Sequence, residues 1–169
     1  QQIKWIYSGK KKSTWPKAYR KYLLTPTKGT AVTGGQHGLY QLSQSKSGNI
    51  ENVLIFDNNI AVTNGDKKTS GKYSQGVQFK INQKKKTITQ TWAYGKTLGK
   101  QNFSYIIGYT QKLGTDNYLM DYGFVDGGNK SNIVEVDQNK GLRLPSLSSC
   151  SLSKQLHLLS LQIAKTQLI

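Results

Sequence analysis

Hydrophobic positions recur with a period of two along most of the chain, which indicates β-strands and not helices. Four successive segments alternate in this way, each bounded by Gly, Asn, Ser or Lys turns: 38–43, 53–59, 76–82 and 86–95. The lysine-rich residues 82–86 predict a hairpin turn with its charges in solvent. Four antiparallel strands of this length are typical of a β-propeller blade, so the pattern predicts one complete blade at approximately 38–95.

Partial blades are expected on either side of the complete one. Segments 103–113, 117–128 and 132–138 predict three strands of a second, incomplete blade at approximately 103–138. Residues 3–9 predict an outer strand of a preceding blade, followed by an irregular aromatic connector at 15–27. The fold class is therefore expected to be all-β: a fragment of a propeller, with one complete four-stranded blade and parts of its two neighbours in a domain spanning 1–140.

The composition changes at about Gly141. Residues 141–169 hold nine Leu and six Ser and no acidic or aromatic residue, whereas the preceding 140 residues hold eight Leu. This tail begins where the fourth strand of the second blade is due. We predict that 141–169 is foreign to the fold, as a frameshifted reading of the gene's end would be. His157 lies within it and is expected to have no role, because a lone histidine without partners is weak evidence for a site.

The formal net charge is +16, from 24 Lys and Arg against 8 Asp and Glu. Such an excess raises the possibility of a nucleic-acid or polyanion binder, which stays open as an alternative on charge alone. No run reaches the five or six like charges of a binding arm, and no recognition motif accompanies the lysines. A solvated basic face is the favoured interpretation, with no nucleic-acid partner.

Cysteine and histidine are scarce. Cys150 is the only cysteine, which excludes an intramolecular disulfide. With His37 and His157 it is too little for a metal centre of histidine and cysteine ligands, so no metal and no cofactor are expected. No apolar run has the length of a membrane span.

His37 opens the first strand of the complete blade, in the stretch TGGQHGLYQLS at 33–43. The glycines around it allow close backbone approach and leave the imidazole uncrowded. In a propeller this position lies at one mouth of the axial channel, where such folds bind ligands. From these features His37 is either a site residue or a turn residue that begins a strand.

The motifs KWIYSG, KYLLTPT, GGQHGLYQLS, VLIFDNN, KYSQGVQFKINQKKKTITQTWAYGK and YLMDYGF follow one another in this order between residues 3 and about 138. In order and spacing the chain resembles the C-terminal part of the bacterial aryl-sulfate sulfotransferases that need no nucleotide sulfate donor. The resemblance implies a six-bladed propeller whose channel holds the active site. It also implies an extracytoplasmic location, whether periplasmic, secreted or at the cell surface.

The resemblance implies that His37 is the catalytic nucleophile. A sulfuryl group would pass from a phenolic sulfate ester to another phenol by a ping-pong mechanism through sulfohistidine, with an aryl sulfate donor and a phenolic acceptor as small-molecule partners. Asn58, in the family's Phe-Asp-Asn turn, and Tyr73 are candidate substrate-binding residues. Turn stabilisation is nevertheless the favoured role for Asn58 and its neighbour Asp57, and core or rim packing is the favoured role for Tyr73.

Further histidines and an arginine of the family would come from blades that precede this segment. The two arginines of this chain, Arg20 and Arg143, do not fall at the family's position. The alternative to an enzyme is therefore a catalytically inactive propeller remnant or a non-enzymatic binding segment.

Overall fold

The structure, a computed structural model, describes residues 2–61, 67–114 and 116–148, the last seven as backbone only. These residues form an all-β fold, which confirms the predicted class. Its strands are β1 Thr25–Pro26, β2 Gln36–Gln44, β3 Ile50–Asp57, β4 Gln75–Asn82, β5 Thr87–Tyr94, β6 Tyr109–Lys112, β7 Tyr118–Val125, β8 Lys130–Val136 and β9 Leu142–Ser148. Short 3-10 helices lie at Lys12–Thr14, Lys17–Tyr22, Lys96–Asn102 and Asp126–Gly128.

The first sheet has five strands in the order β1-β5-β4-β3-β2. Strands β2 to β5 form an antiparallel meander, and the two-residue β1 joins β5 in parallel. The four strands predicted at 38–95 are all present, with their ends shifted by a few residues. The predicted hairpin turn between β4 and β5 is confirmed at residues 83–86.

The second sheet is antiparallel, in the order β6-β7-β8-β9. It has four strands where three were expected, because residues 142–148 hydrogen-bond to β8 despite the change of composition at Gly141. The pairing of β9 with β8 contains two register shifts. Residues 149–169, the rest of the predicted foreign tail, lie outside the described residues, and their origin stays a prediction.

Residues 3–9, predicted as an outer strand of a preceding blade, form no strand within the described residues. This segment makes only one bridge, a parallel one between Ile6 and Leu23, so it has no continuous ladder to complete. Side-chain contacts hold it instead: Trp5 and Tyr7 pack against an apolar cluster on one face of the first sheet. The Trp5 indole N–H also donates to the buried carboxylate of Glu51 on β3, at 2.9 Å.

The sequence VLIF at 53–56 explains how the first sheet is buried on both faces. Leu54 and Phe56 point towards the second sheet and join a cluster that includes Trp92, Tyr94, Tyr118, Met120 and Tyr122. Val53 and Ile55 point the other way, towards a cluster that includes Leu24, Val77, Phe79, Ile81 and Ile88. A strand with apolar residues at consecutive positions is expected only where both of its faces are covered. The fold thereby fixes the end of β3, where Asp57 and Asn58 follow.

Candidate functional site

His37 is the second residue of β2 and lies opposite Phe56 on β3. The chain that leads to it is held by the turn after β3. The backbone N–H of Gly34 donates to Asp57 Oδ1 at 2.9 Å, and the N–H of Ile60 donates to the carbonyl of Gly34 at 3.0 Å. The imidazole of His37 is exposed although its backbone is fixed on both sides. It is therefore an accessible side chain on a rigid support.

The side-chain amide of Asn58 makes the shorter of two contacts to the ring of His37. Asn58 is fully buried, and its Oδ1 lies 2.7 Å from His37 Nδ1. Its Nδ2 donates to two backbone carbonyls, those of Ser104 at 2.7 Å and Ile107 at 3.1 Å. Because both of those partners can only accept, the orientation of the Asn58 amide is fixed, and Oδ1 is the atom that faces the imidazole.

These contacts also determine the tautomer of His37. Nδ1 lies close to two acceptors, Asn58 Oδ1 at 2.7 Å and the carbonyl of Gly35 at 3.0 Å, so it must carry the proton. In the neutral ring the lone pair then resides on Nε2. An exposed imidazole with a fixed orientation and an unprotonated Nε2 is equipped to act as a nucleophile or a general base.

Asp57 organises the turn that supports this arrangement. It is fully buried and accepts from the backbone N–H groups of Gly34 and Asn59 and from Gln75 Nε2, at 2.9, 3.0 and 3.1 Å. Burial raises the pKa of its carboxyl, and the three donors act in the opposite direction. The bond to Asn59, two residues along, confirms the predicted turn-stabilising role for Asp57. For Asn58 the side-chain partners are distant in sequence, so it does not serve the turn in this way.

An aromatic side chain that the sequence interpretation missed lies beside the nucleophile candidate. The ring of Tyr109, the first residue of β6, packs directly against the backbone of Gly38, which adopts a positive φ of 58°. Burial, followed by the proximity of the Tyr40 phenol, raises the pKa of Tyr109. Tyr40 and Tyr109 therefore bring two phenol side chains to the strand that carries His37.

Two other predicted or considered residues are held elsewhere by their own contacts. The Tyr73 ring is half-buried and lies 6.0 Å from Lys96 Nζ in a cation–π contact. The guanidinium of Arg20 donates to the carbonyls of Trp15 and Ser13, both at 2.8 Å. The side chain of Arg143 lies outside the described residues. Of the three predicted site residues, the structure brings His37 and Asn58 together and gives Tyr73 a different partner.

Within residues 2–61, 67–114 and 116–148, no three His, Cys, Asp or Glu side chains gather as a metal site would require. In the same residues no helix combines the length and the apolar character needed to cross a membrane.

Comparison of the sequence with known proteins identifies the family that it matches. Residues 1–151 match the family model described as Arylsulfotransferase (ASST). The chain is also 28% identical over 135 residues to arylsulfate sulfotransferase AssT of Escherichia coli O6:H1 (strain CFT073). That alignment covers 73% of this chain and 22% of the E. coli protein, so the chain spans about a fifth of the relative's length.

Proposed function

This chain belongs to the arylsulfotransferase family, and on that premise we propose that it carries the nucleophile of an aryl-sulfate sulfotransferase, His37. The observation that supports this role is the pair of acceptors on His37 Nδ1, which leaves the lone pair on Nε2 of an exposed ring. A neutral imidazole nitrogen is a good nucleophile near pH 7, and no cofactor is needed for its attack on a sulfate ester.

In the proposed first step, Nε2 attacks the sulfur of a phenolic sulfate ester. An N–S bond forms, the bond from sulfur to the aryl oxygen breaks, and the phenolate leaves with the electron pair. The ring keeps its proton on Nδ1 and becomes a positively charged imidazolium, while the transferred sulfuryl group keeps its negative charge, so the sulfohistidine is a zwitterion. Asn58 Oδ1 accepts a hydrogen bond from that N–H, so it stabilises the charge that the step creates.

In the second step, a deprotonated acceptor phenol attacks the same sulfur. The N–S bond breaks, its electrons return to Nε2, and the new aryl sulfate departs. Throughout both steps the Asn58 amide is held by the carbonyls of Ser104 and Ile107, so the imidazole does not have to reorient between them. The substrates of this proposal are an aryl sulfate donor and a phenolic acceptor.

Membership of the family also supports proposals about the architecture of the protein and its location in the cell. We propose that the two packed antiparallel sheets are neighbouring blades of a six-bladed propeller with His37 at its channel. The four-stranded second sheet and the β2 to β5 meander support blades of the usual size. We also propose an extracytoplasmic location, which fractionation of cells that express the tagged protein would test.

The activity test follows nitrophenolate release from 4-nitrophenyl sulfate with phenol as acceptor. Wild type is expected to turn over, His37→Ala is expected to be inactive, and His157→Ala, at the other histidine of the chain, is expected to match wild type. An inactive wild-type protein would favour the alternatives of a propeller remnant or a binding segment. Equal rates for wild type and His37→Ala would exclude His37 as the nucleophile.

A separate experiment tests the ping-pong order. The protein is incubated with 4-nitrophenyl sulfate and no added acceptor, and mass spectrometry of the protein looks for a covalent sulfuryl adduct. A ping-pong mechanism predicts nitrophenolate release together with an adduct on His37, because the donor reacts before the acceptor binds. Absence of any adduct would contradict the ping-pong order, and an adduct that persists in His37→Ala would place the intermediate on another residue.

A further inference from the structure

The loop at residues 104–108, between the two sheets, is anchored by hydrogen bonds of the backbone and side chain of Ser104. Ser104 is fully buried; its N–H donates to Ser74 Oγ at 2.9 Å, and its carbonyl accepts from Ser74 Oγ at 3.1 Å and from Asn58 Nδ2 at 2.7 Å. Its Oγ lies 2.8 Å from the carbonyls of both Ile106 and Ile107. It also accepts from the N–H of Phe124 at 2.9 Å. The base of the loop is therefore rigid and polar.

The tip of the same loop is apolar and faces solvent. Tyr105, Ile106 and Ile107 are 54%, 41% and 45% exposed. Ile107 also has a φ of 60°, a conformation that is costly for a β-branched residue. Such strain persists only where the surroundings enforce it, and it is concentrated at binding and catalytic sites. Ile107 packs against the backbone of Gly123 on β7, which leaves Tyr105 and Ile106 as neighbouring exposed apolar side chains on a rigid base.

This tip lies beside His37. The Asn58 amide bonds to His37 through Oδ1 and to the loop carbonyls through Nδ2, so one side chain spans the gap between them. The residue that follows the loop, Tyr109, packs on Gly38, the neighbour of His37. The loop and the imidazole are thus fastened to each other on both sides of the tip.

We propose that the tip of the 104–108 loop is the wall that receives the aromatic ring of the sulfate ester while His37 attacks its sulfur. This inference rests on the proposed function, because it assigns a subsite within the same site. An aryl sulfate is an anion attached to an apolar ring, and the ring begins one oxygen away from the reacting sulfur. A nucleophile for such a substrate therefore needs an apolar surface close to it, with Tyr105 offering an aromatic face for stacking.

The test compares Tyr105→Ala with Tyr19→Ala in the full chain. Tyr19 is a matched control, since it is 42% exposed and lies in the connector. Loss of the stacking face is expected to raise KM for 4-nitrophenyl sulfate about ten-fold, with little change in kcat. Tyr105→Phe, which keeps the ring, should restore the wild-type KM. Tyr19→Ala should match wild type in both constants.

Binding of 4-nitrophenol, measured by equilibrium dialysis, gives a second readout that does not need turnover. Weaker binding by Tyr105→Ala than by Tyr19→Ala supports the aryl wall, even if wild type transfers no sulfuryl group and the proposed function fails. Turnover with unchanged KM and unchanged binding in Tyr105→Ala overturns the aryl wall and leaves the sulfotransferase proposal intact. Absence of 4-nitrophenol binding to wild type also overturns it.

Discussion

The buried amide of Asn58 connects the imidazole of His37 to the 104–108 loop. Removal of this amide should therefore affect both the imidazole and the loop. In Asn58→Ala, Nδ1 loses its close acceptor, so the ring can adopt either tautomer and other orientations. We expect kcat for sulfuryl transfer to fall about 100-fold. Nitrogen-15 NMR of the histidines should report an unprotonated Nε2 in wild type and a mixture of tautomers in the variant.

The matched control is Asn52→Ala, which removes an exposed hydrogen bond to Ser43 on the same strand pair. It should leave kcat and the histidine spectrum unchanged. A single Nδ1-protonated tautomer in Asn58→Ala would contradict the positioning role, because the carbonyl of Gly35 alone would then be sufficient.

Asp121, on β7, gives the protein a pH-dependent stability. Burial raises the pKa of its carboxyl to about 6 from an ordinary value of 3.8. The folded state therefore binds more protons than the unfolded state between these values, and stability falls as pH rises from about 4 to about 6. Asp121→Asn should remove this fall and gain about 2–3 kcal/mol over wild type above pH 7. Urea unfolding at pH 4 and pH 7.5 measures the free energy of unfolding of both proteins. If that free energy changed equally with pH in wild type and Asp121→Asn, Asp121 would not be the source of the pH dependence.

At the scale of the elements, Gly38 sets the distance between β2 and β6. A Cβ at this position would lie 2.5 Å from Tyr109 Cδ2, and its φ of 58° is unfavourable for alanine. Gly127 has a similar φ, 66°, but nothing lies within 4 Å of its Cβ position. Both alanine variants should lose about 1 kcal/mol from the backbone term, and Gly38→Ala about 2 kcal/mol more from overpacking.

Chemical denaturation of the two glycine variants separates the backbone cost of the substitution from the cost of overpacking against Tyr109. Equal losses of stability would mean that Tyr109 moves aside without cost, and that the packing of β6 on β2 contributes little.

Glu51 fastens the N-terminal segment to the first sheet. This buried carboxylate accepts from Trp5 Nε1 at 2.9 Å, Gln44 Nε2 at 2.9 Å and Gln83 Nε2 at 2.6 Å. Glu51→Ala leaves these donors without their acceptor and should cost about 3 kcal/mol. The control Glu135→Ala removes one hydrogen bond, from Asn117, and should cost about 1 kcal/mol.

Limited proteolysis followed by mass spectrometry gives a local readout for Glu51. The first cleavages in Glu51→Ala are expected before residue 24, since Trp5 is released. Unchanged cleavage sites in that variant would mean that Trp5 and Tyr7 hold the segment by packing alone.

Considered as a whole, the molecule exposes an edge strand of its first sheet to solvent. Strand β2 lies at one edge of the first sheet, is exposed along most of its nine residues and presents Leu39, which is 63% exposed. Unpaired edges with apolar side chains recruit further strands. We expect the 169-residue chain to self-associate at micromolar concentration in sedimentation velocity, and Leu39→Lys to shift it towards monomer. Monomeric wild type, or equal association by both proteins, would be inconsistent with this edge as the contact.

Local sequence was sufficient for most strands of the fold. Alternation with a period of two places β2 to β5, β7 and β8 within a few residues, because each pattern is confined to its own segment. Prediction failed where distant contacts override that pattern. Residues 103–108 were expected to continue β6, but the Ser104 hydroxyl binds the carbonyls of Ile106 and Ile107 and turns the chain into a loop. Residues 3–9 have no partner strand among the residues that the structure describes, and they pack through Trp5 and Tyr7.

The all-β class and the place of His37 at the start of a strand among glycines can be inferred from neighbouring residues alone. What His37 is able to do depends on contacts between distant parts of the chain. Its tautomer depends on Asn58, 21 residues away, and the orientation of Asn58 depends on carbonyls 46 and 49 residues further along. These residues, distant in sequence, come together only when β3 and β6 meet at one end of the two sheets. The chemistry of the imidazole is therefore a consequence of packing.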